Sequence, residues 1–460
     1  MLGMAFCFRW LGQYILVNYW AQSGCVKSAN CGYNAPLMDC CILARTKMTF
    51  VTMPKSGTLA LNEESRRLAG RGRTVYRFGF GESPFPPPRH VQKALRKSTF
   101  RKDYTTVAGL PELRARIADF HSEADGYAIN AEQVLVAPGS KPLLLNCMQA
   151  FEHAEVYLPA PAYVSYAAMA KLARHPLIRI QTSYDTRWRI TSEALDAAII
   201  RHSQPGREKV LALNYPGNPD GLTYSRAELQ ALAATLRRHD VWALSDEIYA
   251  LLHHQGRHVS LASIYPERTL VSTGLSKWCG AGGWRLGALI LPAAAPAELR
   301  DALIGLGSEV YSCAPTPVQV AALAAYQLDK RTHRFLRAQR QILSGIGGAV
   351  HRALLAAGVK AHAAEGGFYL LCDFSGYADS LRKRDIQGDT ALCARLLAET
   401  GVALLPGSKF GLPAEALTAR LAYVDFDGAA ALSSQRAKEG ILPHAEKMLT
   451  GIAALDSWLN

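Results

Sequence analysis

The chain has 460 residues, of which 49% are hydrophobic and 19% are charged. This length favours two or three packed units, and the composition excludes a fibrous or wholly disordered chain. The formal net charge of +13 indicates an anionic partner. Because lysine and arginine are spread along the chain without a basic run, we expect attraction of acidic small molecules and no binding to nucleic acid.

Residues 1–47 differ in character from the rest of the chain. They hold half of the ten cysteines and open on an apolar, aromatic stretch that Arg9 interrupts. No unbroken apolar run there is long enough to span a bilayer, and the pattern fits a secretory signal poorly. We expect a disordered extension with the natural start at Met48 or Met53. A targeting segment and a membrane-surface helix are the alternatives.

The later cysteines stand singly in apolar or motif surroundings, and no CxxC pair occurs among them. They predict buried free thiols in a reducing compartment, and therefore a cytoplasmic protein. Neither a disulfide framework nor a metal site is expected. These cysteines are Cys147, Cys279, Cys313, Cys372 and Cys393.

From about residue 130, short apolar runs alternate with longer helical stretches, which predicts a parallel sheet with crossover helices. One helix is predicted to begin after Ser225, where Glu228 follows at the spacing of a capping box. Polar residues cluster where strands end, at 214–218, 245–247 and 276–277. Ligands of open α/β sheets bind beyond the carboxyl ends of the strands, so we expect the site there. The predicted strands are 134–138, 155–159, 209–215, 241–247, 269–274 and 287–292.

After about residue 330 the rhythm changes to a long helix, roughly 331–356, followed by mixed strands and helices. This pattern predicts a smaller α+β domain. The expected fold class is α/β, with a large domain built on a mostly parallel sheet of the seven-stranded type flanked by helices. The predicted strands of the smaller domain are 368–374, 401–406 and 419–426. The predicted segments are a leader (1–47), an N-terminal arm with part of the small domain (48–103), the large cofactor-binding domain (104–330) and the C-terminal small domain (331–460).

Three residues of the middle region carry reactive chemistry. Lys277 follows a strand in a turn rich in serine and glycine, where poor solvation lowers an amine pKa towards that of a usable nucleophile. Taken alone, such a lysine is more often a surface cation. Arg285 lies in a glycine-flanked turn, and its planar fork suits a phosphate. Asp246 ends a strand that is expected to be buried, so its carboxylate needs a cationic partner. A protonated pyridine nitrogen would be such a partner.

Several segments, in matching order, resemble the motifs of the fold-type I, class I/II aminotransferases, which depend on pyridoxal 5′-phosphate and serve amino-acid metabolism. The resemblance runs from about residue 75 to the C-terminus. Each motif is weak alone, and the ordered agreement is what identifies the family. The segments are FGFGESPFPPP (78–88), YTTVAGLPELR (104–114), APGSK (137–141), PAYVSY (161–166), NYPGNPDG (214–221), SDEIY (245–249), STGLSKWCGAGGWRLG (272–287) and ARLAY (419–423).

The resemblance implies how the reactive end of the cofactor is held. Lys277 would carry it as a Schiff base and then act as the base that moves the substrate proton. Asp246 would hold the pyridinium nitrogen. Asn218 and Tyr249 would hydrogen-bond the phenolic oxygen, and Tyr249 is counted with Lys277 and Asp246 as catalytic.

The resemblance also assigns the phosphate. Ser140 would bind it at a helix start, whose free N–H groups and dipole favour anions, together with Arg285. The remaining predicted residues near the cofactor are Gly139, Lys141 and Ser276.

Two tyrosines complete the implied cofactor site. Tyr163 would stack on the cofactor ring. Tyr104 would reach the phosphate of a second subunit, which predicts a homodimer with shared active sites. Considered alone, either tyrosine could equally be a core or surface residue.

For the substrate, the resemblance implies that Arg420 clamps the α-carboxylate beside Asn218, with Gly81 allowing backbone approach. Lys141 would reach the distal carboxylate of an acidic substrate. Aspartate or glutamate would then react with a 2-oxo acid such as 2-oxoglutarate. A lysine that merely lies near the phosphate or in solvent is the equally supported alternative.

The chain departs from the family pattern at Gly274, where serine is common, and at Asp220 and Gly282, where threonine is common. These departures leave cofactor affinity and substrate preference open. A lyase that cleaves C–S or C–C bonds, or a synthase, stays an alternative because one cofactor supports several outcomes. A cofactor-sensing transcription regulator would need a winged helix, for which residues 1–50 are too short.

Overall fold

The computed structural model describes residues 57–437 and 440–460. Predictions for residues 1–47, and for the start of segment 48–103, fall outside this range. The described residues belong to one compact unit. Its strands are β1 Val134–Ala137, β2 Ala154–Ala160, β3 Leu177–Gln181, β4 Glu208–Asn214, β5 Val241–Asp246, β6 Thr269–Gly274, β7 Gly287–Ile290, β8 Tyr369–Asp373, β9 Leu405–Pro406 and β10 Thr418–Ala422.

The α-helices cover both sheets. Helix α7, Arg226–Arg238, begins after Ser225, whose hydroxyl and the Glu228 carboxylate form the predicted capping box. The helices are α1 Gly57–Ala69, α2 Arg89–Ser98, α3 Pro111–Asp125, α4 Ser140–Gln149, α5 Ser165–Leu172, α6 Ser192–His202, α7 Arg226–Arg238, α8 Ala297–Val310, α9 Thr316–Ala325, α10 Lys330–Ala356, α11 Ala378–Lys383, α12 Asp389–Thr400, α13 Gly428–Arg436 and α14 Glu446–Leu459.

Within the described residues, the large sheet has seven strands in the order β1-β7-β6-β5-β4-β2-β3. Strand β7 runs antiparallel to β1 and β6, and the other neighbours are parallel. The predicted mostly parallel sheet is confirmed. Strand β3 was not predicted from the sequence, because it lies at the sheet edge and only Ile180 of its residues is buried.

Strands β4, β5 and β6 lie side by side, and their carboxyl ends meet at one edge of the large sheet. Every residue of β5 and β6 is buried, because both faces of the sheet are covered. This burial explains their nearly continuous apolar sequence runs. The last residues of these strands, and the loops that follow them, therefore converge where the sequence predicted the site.

The smaller sheet consists of β8, β10 and β9 in that order, with antiparallel pairing throughout. Arg420 lies in the middle of β10, opposite Leu371 of β8 and Leu405 of β9. Each predicted segment after residue 330 contains a strand, but β9 takes only the last two residues of 401–406, and β10 ends at Ala422, short of the predicted 426. One apolar cluster extends across both sheets, since it contains Val134 of β1 and Leu421 of β10. The domain boundaries at 103/104 and 330/331 stay predictions.

The five later cysteines are free thiols, as predicted. Four of them are buried, and Cys313 is half-buried. None of the helices in the described ranges is long and apolar enough to cross a lipid bilayer.

Candidate active site

A cavity of about 440 Å³ opens at the carboxyl ends of β4, β5 and β6. We call it the active-site cavity. Apart from Gly139 and Tyr104, the predicted site residues all line it. They are Gly81, Ser140, Lys141, Tyr163, Asn218, Asp246, Tyr249, Ser276, Lys277, Arg285 and Arg420.

The amine of Lys277 lies in the middle of these residues. Its Nζ donates a hydrogen bond to the carbonyl oxygen of Gly81 at 2.8 Å, and lies 5.3 Å from the ring centre of Tyr249. Burial lowers the pKa of Lys277 to about 8; the positive charge of Arg420 acts in the same direction, and Asp246 opposes it. A substantial fraction of the amine is therefore neutral near pH 7 to 8, as a nucleophile requires.

Asp246 is the last residue of β5 and is only 4% exposed. Its Oδ2 accepts a hydrogen bond from the Tyr166 hydroxyl at 2.7 Å, and its Oδ1 accepts one from the Ile248 N–H at 3.3 Å. Burial raises the pKa of Asp246 to about 6, although both hydrogen bonds and Lys277 favour the charged form. A buried carboxylate that opens on a cavity is suited to a cationic ligand group.

Two asparagines fix the turn after β4. The Asn214 amide donates to the carbonyl oxygen of Asp246 at 2.8 Å, and its Oδ1 accepts from the Asn218 N–H at 2.9 Å. Asn218 Oδ1 accepts in turn from Nη1 of Arg420 at 2.9 Å. The turn thus connects the end of the large sheet to β10 of the smaller sheet.

Arg420 is a buried guanidinium, 3% exposed, at the wall of the active-site cavity. Its Nη2 donates to the carbonyl oxygen of Gly79 at 2.6 Å, and the group lies 4.7 Å from the ring centre of Tyr369. No carboxylate pairs with it in the described part of the chain, and its Nε has no hydrogen-bond partner there. A buried cation without a counter-charge favours a carboxylate ligand.

Tyr369, the first residue of β8, was missed in the sequence because the apolar run around it is typical of core. Its hydroxyl lies 2.9 Å from that of Tyr249 and 3.4 Å from the carbonyl oxygen of Gly81. A Cβ atom on Gly81 would come within 1.9 Å of this hydroxyl. Gly81 therefore lets the backbone approach the site, and the group that lies against it there is the Tyr369 hydroxyl. Tyr166 was missed for a similar reason, since it lies in helix α5 among core residues.

The other end of the cavity is an anion-binding arrangement. Helix α4 begins at Ser140, preceded by Gly139 at φ 95°. A Cβ atom on Gly139 would come within 2.1 Å of Nη2 of Arg285, so only glycine leaves room for that guanidinium. Arg285 is held by a 2.8 Å hydrogen bond from its Nη1 to the Gly282 carbonyl oxygen. A helix N-terminus and a guanidinium thus converge, as phosphate groups require.

Lys141 and Tyr163 lie together at the cavity. Lys141 is exposed, and its Nζ lies 5.7 Å from the centre of the Tyr163 ring. The amine is therefore free to meet an anionic group in the cavity. Tyr163 also packs edge-on against Tyr166, with ring centres 5.4 Å apart.

Tyr104 lies outside the active-site cavity of its own chain. It is 87% exposed, and Phe100 nearby is 77% exposed. The backbone of its segment is held on α9, because the Thr316 hydroxyl donates to the Asp103 carbonyl oxygen and Gln319 donates to the Thr105 hydroxyl. The tyrosine thus projects from a fixed segment and does not reach the active-site cavity of the same chain.

Two of the three departures from the family pattern have local explanations. A Cβ atom on Gly274 would lie 2.8 Å from the Leu286 carbonyl oxygen, so β6 has no room for serine there. Asp220 forms an ion pair with Arg189 at 2.6 Å, and both side chains are buried. Gly282 is not crowded, with its nearest neighbour 3.5 Å from a Cβ atom, and a side chain would fit.

Comparisons with known proteins agree on one relationship. The family model "Aminotransferase class I and II" matches residues 73–424. The chain is 35% identical over 376 residues to the aspartate/prephenate aminotransferase of Cereibacter sphaeroides, which covers 79% of the chain and 91% of that protein. It is 33% identical over 376 residues to the aspartate aminotransferase of Rhizobium meliloti, covering 78% of the chain and 87% of the relative.

A similar solved structure is that of the aspartate aminotransferase from Thermus thermophilus with maleate. The TM-score is 0.74 and the identity 29%, and the match covers 85% of this chain and all of that one. The names of these relatives give no support to a lyase.

Proposed function

Because the chain belongs to the class I and II aminotransferase family and is an aminotransferase, we propose that its amino donor is aspartate or glutamate and its acceptor a 2-oxo acid. The cofactor that the family implies is pyridoxal 5′-phosphate. The observation that carries the proposal is the meeting of Lys277, Asp246 and Arg420 in one cavity. These groups supply an amine, a carboxylate and a guanidinium that no carboxylate of the described residues neutralises.

The residues of the cavity fit this cofactor. Arg285 and the start of α4 suit its phosphate, and the space that Gly139 leaves beside Arg285 keeps that end open. Asp246 would pair with the pyridine nitrogen, and the side chain of Tyr163 would stack on the ring. Residues assigned to the phosphate with Arg285 are Ser140, Ser276 and, from a second subunit, Tyr104.

When bound, the cofactor supplies an electron-withdrawing ring that acidifies the substrate Cα–H bond. Lys277 would hold the cofactor through Nζ, and its amine would take and return the proton at substrate Cα. Tyr249 and Asn218 would donate to the ring oxygen. The Asn218 carbonyl is already occupied by Arg420, which leaves its amide nitrogen as the donor.

Arg420 would bind the substrate α-carboxylate through the Nε that is unpaired among the described residues. Lys141 would bind the distal carboxylate of aspartate or glutamate, because its amine is exposed at the same cavity. Two relatives whose names include aspartate support this choice of substrate.

We propose a homodimer in the cytoplasm as the working form. The exposed Tyr104, fixed on α9 without a site in its own chain, supports a shared active site. The free thiols of the described cysteines support a reducing compartment.

An amino-donor panel tests the substrate proposal. Aspartate, glutamate and alanine are each offered with 2-oxoglutarate or oxaloacetate, and keto acid is measured for the wild type and for Lys141→Ala. We expect Lys141→Ala to lower kcat/KM for aspartate by about 10- to 100-fold, the value of one charge-assisted contact. Activity with alanine should stay within about twofold, because no distal carboxylate is lost.

The Lys277→Ala variant provides the catalytic control and should give no turnover while the protein stays folded. Equal losses of kcat/KM for aspartate and alanine in Lys141→Ala would refute the role of Lys141 in specificity, and would leave the aminotransferase reaction itself unaffected. Ammonia and pyruvate released without an acceptor would contradict transamination as the reaction of this site.

A further inference from the structure

A second cavity, about 470 Å³ in volume, lies between the 86–92 segment and helices α10 and α13. It shares no lining residue with the active-site cavity. We call it the arginine cavity, because its walls include Arg89, Arg331, Arg334 and Arg436. Its volume falls in the range of small-molecule sites in proteins.

The charge of the arginine cavity is strongly one-sided. No acidic residue lines it in the part of the chain that the structure describes. Arg331 is paired with Asp329 at 2.6 Å. Across residues 57–437 and 440–460, by contrast, no ion pair involves Arg89, Arg334 or Arg436. The cavity therefore presents more guanidinium charge than its surroundings neutralise, and an anion would be attracted.

The remaining walls are apolar. Phe335 is half-buried and packs against the main core, and Leu432 and Ala338 continue this surface. His90 lies beside them, with its Nε2 at 3.2 Å from the Ala324 carbonyl oxygen. Burial lowers the pKa of His90, and the neighbouring Arg331 acts in the same direction, so His90 adds no charge at neutral pH.

We propose that the arginine cavity binds a small organic phosphate with an apolar or aromatic body. The paired N–H groups of a guanidinium match two oxygens of a phosphate. Arg89, Arg334 and Arg436, which form no ion pair among the described residues, come from different segments and can therefore surround one group. Phe335 and Leu432 would cover the body of the ligand. An inorganic ion would use only the charged half of this cavity.

The arginines of the cavity are exposed side chains, so single substitutions there leave the core intact. Arg334 and Arg337 lie on the same helix, and both are exposed. Arg334 lines the cavity and Arg337 does not. Arg337→Gln is therefore a matched control for Arg334→Gln, with the same change in net charge.

Isothermal titration calorimetry with phenyl phosphate tests the proposal. The cofactor-loaded enzyme is used with saturating 2-oxoglutarate. The cofactor then occupies the phosphate end of the active-site cavity, and 2-oxoglutarate occupies the residues proposed to bind carboxylates. We expect one phenyl phosphate per chain, with affinity about tenfold weaker in Arg334→Gln and in Arg436→Gln, the loss of one charge-assisted contact. Arg337→Gln should bind as the wild type does. Leu432→Ala should weaken phenyl phosphate while leaving inorganic phosphate unchanged.

Absence of binding at millimolar phenyl phosphate would overturn the proposal. So would an equal loss in Arg337→Gln, because attraction would then come from the net charge of the whole protein. Inorganic phosphate binding as tightly as phenyl phosphate would remove the role of the apolar walls. An acidic peptide that bound more tightly and displaced phenyl phosphate would assign the cavity to a protein partner instead.

Discussion

At the scale of single residues, the active-site cavity shifts the pKa values of two ionisable groups towards neutral pH. Loss of hydration lowers the pKa of Lys277 to about 8 and raises that of Asp246 to about 6. The mutual attraction of the two charges opposes both shifts and does not cancel them. Tyr166 moderates the shift of Asp246, because its 2.7 Å hydrogen bond favours the carboxylate.

We call the pH below which the protein no longer binds cofactor the acid limit, and we expect Tyr166→Phe to move it to higher pH. The carboxylate of Asp246 is present above its pKa and lost as the pH falls through about 6. Removing a donor that stabilises the carboxylate raises this pKa further, by about one unit for a hydrogen bond to a charge. Binding of pyridoxal 5′-phosphate by the apoenzyme, followed by its visible absorbance between pH 5 and 9, measures the limit.

Tyr157→Phe is the control for this measurement. Tyr157 is also buried and donates to a carboxylate, that of Glu155 at 3.0 Å, but it does not line the active-site cavity. Its removal should leave the acid limit in place. An unchanged limit in Tyr166→Phe as well would show that this hydrogen bond does not tune Asp246.

At the scale of elements, the site depends on the close approach of β6, β7 and the start of α4. Gly274 of β6 is paired with Gly287 of β7. A Cβ atom on Gly287 would lie 2.3 Å from the Ser140 nitrogen. Absence of side chains at these positions thus lets the N-terminus of α4 reach the edge of the sheet beside Arg285.

We expect Gly274→Ser, which introduces the residue common in the family, to destabilise this protein. The new Cβ atom would lie 2.8 Å from the Leu286 carbonyl oxygen and 2.9 Å from the Gly287 Cα, so the strands must shift. Overpacking of this kind costs about 1–3 kcal/mol. Urea unfolding followed by circular dichroism gives the free energy.

Gly283→Ser serves as the comparison, because nothing lies within 4 Å of a Cβ atom there and the residue is exposed. Its free energy of unfolding should change by less than about 0.5 kcal/mol. Equal stability of the two variants would mean that β6 and β7 adjust without strain.

At the scale of the whole molecule, the exposed segment around Tyr104 is the feature that one chain leaves unexplained. Two large aromatic side chains, Phe100 and Tyr104, are exposed on it. Burial of such surface against a second chain is favourable. A dimer in which each chain completes the other's phosphate site would account for both residues.

We expect subunit complementation between Lys277→Ala and Tyr104→Ala. If Tyr104 acts in the partner's site, a mixed dimer holds both defects in one site and leaves the other intact. Equal mixing of refolded chains should restore about a quarter of wild-type activity at limiting cofactor, because half of the dimers are mixed and each of them has one intact site out of two. Size-exclusion chromatography must also show twice the mass of one chain.

The pair Lys277→Ala and Asp246→Asn is the control, since both residues line the cavity of one chain. Each site of that mixed dimer keeps one defect, so no activity should return. An active monomer, or no recovery with Tyr104→Ala, would contradict the shared site.

The sequence by itself determined the strands of the large sheet's centre, the capping box at Ser225, and the positions of Asp246 at the end of a strand and of Lys277 after one. These features are local: apolar runs, caps and turn residues act on neighbours in the chain. The edge strand β3 was not predicted, because an edge position lacks the apolar run on which the prediction depended. Motif order then indicated the family.

Only the tertiary structure decided which distant groups contact one another directly. Arg420 reaches Asn218 across 202 positions of sequence, and Tyr249 meets Tyr369 across 120. Such contacts depend on how the two sheets pack, and no local pattern records them. The displaced pKa values of Lys277 and Asp246 and the walls of the arginine cavity have the same origin, because burial is a property of the assembled fold.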